Sequence, residues 1–225
     1  MESPFLYFYL LLFTFAGPFA RSFERRIYYI GKWKALLISI SIVSIPFILW
    51  DAYFTYKGYW GFNPRYISGL KLAGLPIEEL LYFFVIPFAS VFIYEVFVLF
   101  SKLKLEKHSK WVSILLLLFL LPQAFLHLDK AYTCSTFFAL SAVIIYIEFV
   151  RKATFLGDFY ASFLFILIPF YVVNGILTGS FIEEQVVWYN NDQNLGIRVF
   201  TIPIEDHFYG MLEMLSIIFI YERIK

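Results

Sequence analysis

Two short segments of this 225-residue chain combine a proline with two adjacent acidic residues. The first, LPIEELLYF, contains Glu78 and Glu79, and the second, IPIEDHFYG, contains Glu205 and Asp206. One such segment is a common helix start, because proline has no N–H to leave unpaired and carboxylates favour the positive end of the helix dipole. Two copies in the same order indicate a set of carboxyl groups that exchange protons with a bound molecule.

Each acidic pair has a tyrosine at helical spacing. Glu78 and Tyr82 are four residues apart, as are Glu205 and Tyr209, so each acid shares a helix face with a phenol. An ionised carboxylate near hydrocarbon costs several kcal/mol, so such groups turn inward, pair with each other or stay protonated. A protonated carboxyl group in an apolar, aromatic cleft is suited to protonating an alkene, since ring faces stabilise a carbocation.

Three further acids lie in the same two predicted helices. Glu213 falls about two turns beyond Asp206 on the same face, and an acid inside a membrane segment is by default a functional candidate. Glu95 and Glu222 lie at the far ends of their helices, roughly 25 Å from the motifs at about 1.5 Å per residue. We therefore expect Glu213 to contribute to the site and Glu95 and Glu222 to be interface residues.

The elements that must position these acids are apolar helices. Hydrophobic residues make up 61% of the chain, with 29 Phe and 17 Tyr, and apolar runs repeatedly reach about 20 residues, the length that crosses a bilayer. The composition predicts an all-α, polytopic integral membrane bundle, and the acidic flank at Glu2 argues against a cleavable signal peptide. We expect about seven transmembrane helices, at residues 3–20, 34–50, 76–98, 111–128, 131–149, 157–178 and 203–222.

The distribution of basic residues predicts the orientation of these helices. Thirteen of the 18 lysines and arginines fall in residues 21–33 with the adjacent Lys34, in residues 99–110 and 150–156, and in the C-terminal tail. Cytoplasmic loops carry the excess of basic residues, so these segments are expected inside and the N-terminus outside. Both acidic motifs then lie on the outer side of the membrane.

The sequence contains an internal repeat. At an offset of 127 residues, residues 71–95 align with residues 198–222, and eight of the 25 positions are identical. The same offset pairs Asn63 with Asn190, in the loops that precede the two motifs. Repeats of this kind usually form units that bury a face only against their own copy.

The repeat also predicts how the chain is organised. An offset of 123 residues pairs Asp51 with Asn174, so a polar residue follows an apolar helix in both copies. We expect a first three-helix repeat at residues 1–100, a linker with one transmembrane helix at 101–130, and a second repeat at 131–225. The extra helix makes the two repeats parallel, so both motifs lie at the same depth and face each other across a pseudo-twofold axis.

The motifs and their flanks resemble those of a known family. GLPIEELLYFFVIP and NLGIRVFTIPIEDHFY, preceded by WGFNP and VVWYN, are similar to the lycopene cyclase family of the heterodimeric type, in its fused single-chain form. Paired Pro-x-Glu-Glu and Pro-x-Glu-Asp motifs are the signature of that family, and the resemblance covers the whole chain. It implies that Glu78, Glu79, Glu205 and Asp206 are catalytic. His207 departs from the pattern, in which an aromatic residue such as Phe is expected.

The resemblance implies a reaction and a set of supporting residues. The reaction is a redox-neutral isomerisation that closes the linear ends of lycopene into β-ionone rings, through γ-carotene, by protonation of the terminal double bond, ring closure and loss of a ring proton. The chain has no GxGxxG fingerprint for a flavin, so we predict no cofactor and no metal. We expect substrate-binding or supporting roles for Asp51, Asn63, Tyr82, Asn174, Asn190, Arg198, His207, Tyr209 and Glu213.

The expected partners are hydrophobic. They are the carotenoid substrate, lycopene, and the lipid of a cell membrane that the chain crosses several times, and the resemblance extends the expectation to other enzymes of carotenoid biosynthesis. A net charge of +1 gives no electrostatic basis for binding nucleic acid. The single Cys134 excludes a disulfide framework or a CxxC centre.

Several other functions remain open or are disfavoured. A prenyltransferase would need Asp-rich metal-binding clusters, which the sequence lacks, and a retinal protein would need a lysine in the last helix, where residues 203–222 contain none. Another membrane terpene or carotenoid cyclase, or a proton-coupled transporter with parallel repeats, stays open. The sequence also leaves open which carboxylate donates the proton, and whether there is one composite site or two.

Overall fold

The computed structural model describes residues 3–101 and 106–225, and its architecture is an all-α bundle. Glu2, Lys102 and Lys104, which entered the predictions of signal peptide and orientation, lie outside the described residues. Seven α-helices occur in the described part of the chain, each at a predicted position. They are α1 (Leu6–Arg21), α2 (Trp33–Tyr56), α3 (Ile77–Phe100), α4 (Glu106–Leu126), α5 (Ala131–Ile144), α6 (Leu156–Leu177) and α7 (Ile204–Ile224).

Five of these helices, α2 to α6, are long and apolar enough to cross a membrane, α5 together with the π-helical turn Ile145–Val150 that continues it. Helix α1 is apolar but has only 16 residues. Helix α7 has 21 residues and is not among the five, because acidic side chains such as Asp206 and Glu213 lower its hydropathy. The protein is thus a helical membrane bundle. That α1 and α7 also cross the membrane remains a prediction.

Helix α2 extends further than predicted. We expected it to end at Trp50 with Asp51 after it, but the helix continues to Tyr56 and Asp51 lies buried within it. The indole N–H of Trp60 donates a hydrogen bond to the Asp51 carboxylate, so the helix can carry this acid without exposing it. Asn174 is likewise inside its helix, which ends at Leu177. The two polar residues therefore point into the bundle rather than into the loops.

The helices of the two predicted repeats pack across one another. Within each repeat the first helix lies against the third, α1 on α3 and α5 on α7. Between the repeats, α2 packs on α7 and α6 packs on α3, while α4 lies outside against α5 and α6. The helices thus pack both within and between the two predicted repeats.

Short strands cover one end of the bundle. The strands are β1 (Trp60–Phe62), β2 (Lys71–Leu72), β3 (Leu75–Pro76), β4 (Val187–Tyr189), β5 (Arg198–Val199) and β6 (Ile202–Pro203). Strands β2 and β3 form a hairpin that leads into α3, and β5 and β6 form the equivalent hairpin before α7. Strands β1 and β4 pair antiparallel and join the two long loops, with Gly61 opposite Trp188. A Cβ at Gly61 would lie 2.4 Å from the Trp188 ring, so any larger residue would force this ring to move.

The opposite end of the bundle is held by a reciprocal pair of hydrogen bonds. The Tyr94 hydroxyl donates to Glu222 at 2.8 Å, and the Tyr221 hydroxyl donates to Glu95 at 2.7 Å. These four residues are related by the repeat offset of 127, so α3 and α7 exchange equivalent contacts. Lys32 also forms an ion pair with Glu95. Glu95 and Glu222 are therefore interface residues, as predicted, and α3 and α7 run in the same direction.

Candidate active site

A cavity lies inside the bundle between α1, α3, α6 and α7, beneath the β1 and β4 strands. Its empty volume is about 1090 Å³, with the open mouth included. On α3 its walls extend from Glu79 to Ile93, about 21 Å along the helix at about 1.5 Å per residue. The cavity is therefore elongated along the bundle axis. Most of its lining is apolar or aromatic, and its four carboxyl groups belong to Asp51, Glu79, Asp206 and Glu213.

The two acidic motifs contribute one residue each to this cavity. Glu79 from the first motif and Asp206 from the second line it together, although they are 127 residues apart. Glu78 and Glu205 do not line it, and both are fully buried elsewhere. Adjacent residues in an α-helix point about 100° apart, so one acid of each pair faces the cavity and the other faces the loops. The structure thus separates the four predicted catalytic residues into two pairs.

Glu78 and Glu205 hold the loops that precede their helices. One Glu78 oxygen accepts a hydrogen bond from the backbone N–H of Ser68 at 2.7 Å. The equivalent oxygen of Glu205 accepts from the backbone N–H of Leu195, also at 2.7 Å, and from the Thr133 hydroxyl at 2.6 Å. Each glutamate therefore anchors a backbone group ten residues earlier in the chain. Carboxylates with such partners are suited to a positioning role.

The cavity acids Glu79 and Asp206 are hydrogen-bonded to phenols. The Tyr7 hydroxyl donates to Glu79 at 2.6 Å. Asp206 accepts from two phenols, Tyr132 at 2.7 Å and Tyr189 at 2.9 Å, one on each carboxylate oxygen. All three tyrosines line the cavity. Burial, together with the neighbouring Asp206 carboxylate, raises the pKa of the Tyr189 phenol well above its ordinary value, so Tyr189 stays a hydrogen-bond donor.

These three phenols were not among the predicted site residues, although the sequence contains a signal for two of them. Tyr7 and Tyr132 occupy equivalent positions in the first helices of the two repeats, at an offset of 125. Extending the repeat comparison to those helices would have paired them. Tyr189 corresponds to Phe62 at an offset of 127, so the second motif has one more phenol than the first and no repeat argument would have found it.

The two polar positions of the second helices also face the cavity. Asp51 and Asn174 both line it, as does Tyr82, whose hydroxyl donates to the Asn174 side chain at 3.0 Å. The first oxygen of Asp51 accepts from the Trp60 indole, and the second has no hydrogen-bond partner in the described part of the chain. The cavity therefore contains an acid from one repeat and an amide from the other at equivalent places.

Glu213 and Tyr209 complete the polar lining predicted from the sequence. Both line the cavity, and Glu213 is only 2% exposed. One Glu213 oxygen and the Tyr209 hydroxyl find no hydrogen-bond partner among the residues that the structure describes. The Tyr209 ring packs edge-on against Phe47 and Trp50. Glu213 lines the same cavity as Asp51, Glu79 and Asp206, so four acids share one enclosure.

His207 faces away from the cavity. Its Nε2 lies 3.1 Å from the Tyr171 hydroxyl and its Nδ1 lies 3.2 Å from the backbone oxygen of Pro203. The ring also packs against Phe170, which does line the cavity. His207 can therefore affect the cavity through Phe170.

The remaining predicted residues lie in the loops that precede α3 and α7. The Asn63 side chain accepts from the backbone N–H of Arg65, and Asn190 accepts from that of Asp192, both at 3.0 Å, so each asparagine begins the same kind of short turn. The Arg198 guanidinium bonds the backbone oxygen of Thr201 and the side chain of Asn191. None of Asn63, Asn190 and Arg198 lines the cavity. The three residues shape the loops above it.

The cavity thus combines buried carboxyl groups, phenol donors and an apolar wall within a helical membrane bundle. Among the residues that the structure describes, no three His, Cys, Asp or Glu side chains are grouped so as to hold a metal ion.

Comparison with known proteins identifies the family. The model of the lycopene cyclase family matches residues 4–97 and 129–224, so the chain belongs to this family. The bifunctional lycopene cyclase/phytoene synthase of Phycomyces blakesleeanus is 39% identical over 67 residues, which is 29% of this chain. The match spans only 11% of that longer protein. No solved structure matches the chain.

Proposed function

We propose that the protein is a lycopene β-cyclase of carotenoid biosynthesis that works by acid–base catalysis without a cofactor. The observation that carries this proposal is that Glu79 and Asp206, one from each motif, line a single apolar cavity and are each bonded to phenols. The resulting enzyme is an intramolecular lyase, or isomerase. Its substrate is the linear carotenoid lycopene.

The reaction needs one proton donor and one proton acceptor. The donor protonates the terminal double bond and leaves a carbocation. The electron pair of a neighbouring double bond then forms the ring bond, and the positive charge moves to a ring carbon. The acceptor removes a proton from the adjacent ring carbon to form the final double bond. One proton enters and one leaves, so the step involves no oxidation or reduction.

Hydrogen bonding favours Asp206 as the acceptor and Glu79 as the donor. Hydrogen bonds to a carboxylate favour its ionised form. Asp206 accepts two phenol hydrogen bonds and Glu79 accepts one, so Asp206 is the better placed of the two to be ionised before the reaction. Glu79, with a free position on its carboxyl group, then supplies the proton.

Aromatic rings and two further acids surround the expected carbocation. The rings of Trp60, Tyr82 and Tyr209 line the cavity beside the acids, and a ring face stabilises a desolvated cation by about 2 kcal/mol or more. Asp51 and Glu213 add negative or neutral carboxyl groups to the same wall, depending on their protonation. In this arrangement Glu78 and Glu205 position the loops, and the reacting pair is Glu79 and Asp206.

The apolar substrate and the helical bundle support a location in the cell membrane, with several crossings and with both motifs toward the outer side. Lycopene dissolves in the hydrocarbon of the bilayer, so the enzyme meets it there. Other enzymes of carotenoid biosynthesis would share this compartment and are the expected protein partners.

Expression in lycopene-accumulating cells tests the proposal. Cells that express the wild-type chain should convert lycopene to γ-carotene and β-carotene, as read by chromatography with ring type assigned from the absorption spectrum. Purified protein that has been stripped of flavin and nicotinamide should do the same in detergent. Unchanged lycopene with well-expressed protein would refute the function, and ε-rings or strict dependence on an added reduced cofactor would refute the product or the mechanism.

A further inference from the structure

The two repeats differ at one position that opens the cavity. Gly210 of α7 lines the cavity and corresponds to Phe83 of α3 at the repeat offset of 127. Phe83 is 2% exposed and packs against the rings of Phe47 and Tyr82. A Cβ added at Gly210 would meet no atom within 4 Å. The second repeat therefore has space where the first has a buried ring.

Helix packing differs between the repeats in the same region. Helix α2 packs closely on both α3 and α7. Its counterpart α6 packs closely on α3 but touches α7 only sparsely. The wall between α6 and α7 is therefore the less closed of the two equivalent walls, and Gly210 lies on it.

We call the sparsely packed place between α6 and α7 at Gly210 the gap. Its surroundings are apolar on both sides. Leu167 and Phe170 of α6 are partly exposed and line the cavity. Leu164, Ile168 and Val172 on the outer face of α6 are all more than half exposed, on a helix apolar enough to cross a membrane. In the described part of the chain, the only polar contact between α6 and α7 near Gly210 is that of the Tyr171 hydroxyl with His207. The other α6 side chains at this level are thus apolar from the cavity wall to the exposed outer face of the helix.

The upper edge of the gap is an aromatic cluster. The His207 ring lies 5.1 Å from the Phe170 ring and 5.4 Å from the Tyr171 ring, between centroids. His207 precedes Gly210 by three residues, which is nearly one helical turn. His207, the residue that departs from the family pattern, therefore lies above the gap and packs against the aromatic side chains at one of its edges.

We propose that the gap between α6 and α7 at Gly210 is a lateral portal through which the end of an apolar polyene enters the cavity from the bilayer. The proposal rests on the proposed function for the identity of the polyene. A molecule without polar groups gains nothing by passing through water, so an opening at the level of the hydrocarbon is the route that keeps it desolvated throughout. The β1 and β4 strands cover the end of the cavity that holds the motif acids, so entry from the bilayer would pass between helices.

The test replaces Gly210 with phenylalanine, the residue at the equivalent position of the first repeat. Gly210→Phe should lose most of its lycopene conversion, because the ring would fill the gap. Gly17→Phe is the matched control, since Gly17 is also helical, also has no atom within 4 Å of an added Cβ, and lies on the exposed face of α1 away from the cavity. It should cyclise lycopene like the wild type. If Gly210→Phe converts lycopene as fast as the wild type, the portal proposal is wrong. If the wild type itself does not convert lycopene, the proposed function is wrong instead.

A labelling experiment keeps the portal testable if Gly210→Phe folds poorly. In a Cys134→Ser background, a cysteine at Gly210 should react with a membrane-permeable maleimide, and loading the membranes with lycopene should slow the reaction. A cysteine at Gly17 should react at the same rate with or without lycopene. Equal labelling of Gly210→Cys in membranes with and without lycopene would overturn the portal. This readout does not require turnover.

Discussion

Glu78 and Glu79 are adjacent, yet the structure predicts opposite consequences when each is replaced by glutamine. Glu79 faces the cavity, and its carboxyl group is the proposed proton donor. Glutamine keeps its shape and can still accept the Tyr7 hydrogen bond, but it cannot exchange the proton. Glu78 has an oxygen that accepts from the Ser68 backbone N–H, and a glutamine amide oxygen can accept the same bond. The two substitutions therefore separate proton transfer from loop positioning within a single motif.

The expected losses of cyclisation rate differ by orders of magnitude between the two substitutions. Loss of a general acid or base typically reduces the rate about 10²–10⁴-fold, or about 2.7–5.4 kcal/mol at about 1.36 kcal/mol per tenfold, and we expect Glu79→Gln to fall in this range. In Glu78→Gln a hydrogen bond to a charged group, about 1.5–3 kcal/mol, becomes a neutral one of about 0.5–1.5 kcal/mol. The cost is thus about 1 kcal/mol of stability, with turnover largely retained. Glu78→Ala removes the acceptor altogether and should destabilise the protein more.

The assay is lycopene conversion by equal amounts of purified variant in detergent, with thermal unfolding measured in parallel. Glu79→Gln should unfold like the wild type and convert almost no lycopene, while Glu78→Gln should unfold at a lower temperature and remain active. The second motif provides an independent copy, in which Asp206→Asn should behave like Glu79→Gln and Glu205→Gln like Glu78→Gln. Full activity of Glu79→Gln, or complete inactivity of a folded Glu78→Gln, would refute the division of roles.

Two further predictions concern topology and the phenol partners. Cysteines at Asn63 and Asn190, in a Cys134→Ser background, should both react with an impermeant thiol reagent from outside intact cells, and reaction of only one would contradict parallel repeats. Tyr132→Phe removes one of two phenol donors to Asp206 and should slow cyclisation about 10- to 100-fold, as expected for one hydrogen bond to a charged group of about 1.5–3 kcal/mol, without loss of folding. An unchanged rate would show that this phenol does not support the acceptor.

The helices could be predicted from the sequence because a bilayer imposes a length and a composition on them. All seven lie at the predicted positions, and the error at α2 has a local cause: a buried Trp60 partner lets the helix continue past Asp51. The repeat likewise indicated that Asp51 and Asn174 occupy equivalent places, and both face the cavity. These features are recorded in the order and type of the residues themselves.

The orientation of the motif acids could not be predicted in the same way. Both residues of each pair carry a carboxyl group and both are buried, so composition and spacing do not distinguish them. Which one faces the cavity depends on the rotation of α3 and α7. That rotation is set by packing of α3 on α1 and α6, by packing of α7 on α2 and α5, and by the loop groups that Glu78 and Glu205 anchor. The phenol of Tyr7 comes from a helix distant in sequence, and only the folded chain brings it to Glu79.

A single cavity that contains one acid from each motif has a kinetic consequence for a substrate with two identical ends. The two repeats do not form two equal sites, because Asn174 replaces Asp51, Glu213 replaces Ile86 and Gly210 replaces Phe83 at equivalent positions. One donor and one acceptor can close only one ring at a time, so the second end must enter after the first product end has left. We therefore expect γ-carotene to accumulate before β-carotene in a time course with purified enzyme, and excess lycopene to delay the second ring by competing for the cavity. Appearance of β-carotene without a preceding γ-carotene phase, even at high lycopene, would contradict a single site, because both ends would then be cyclised within one binding event.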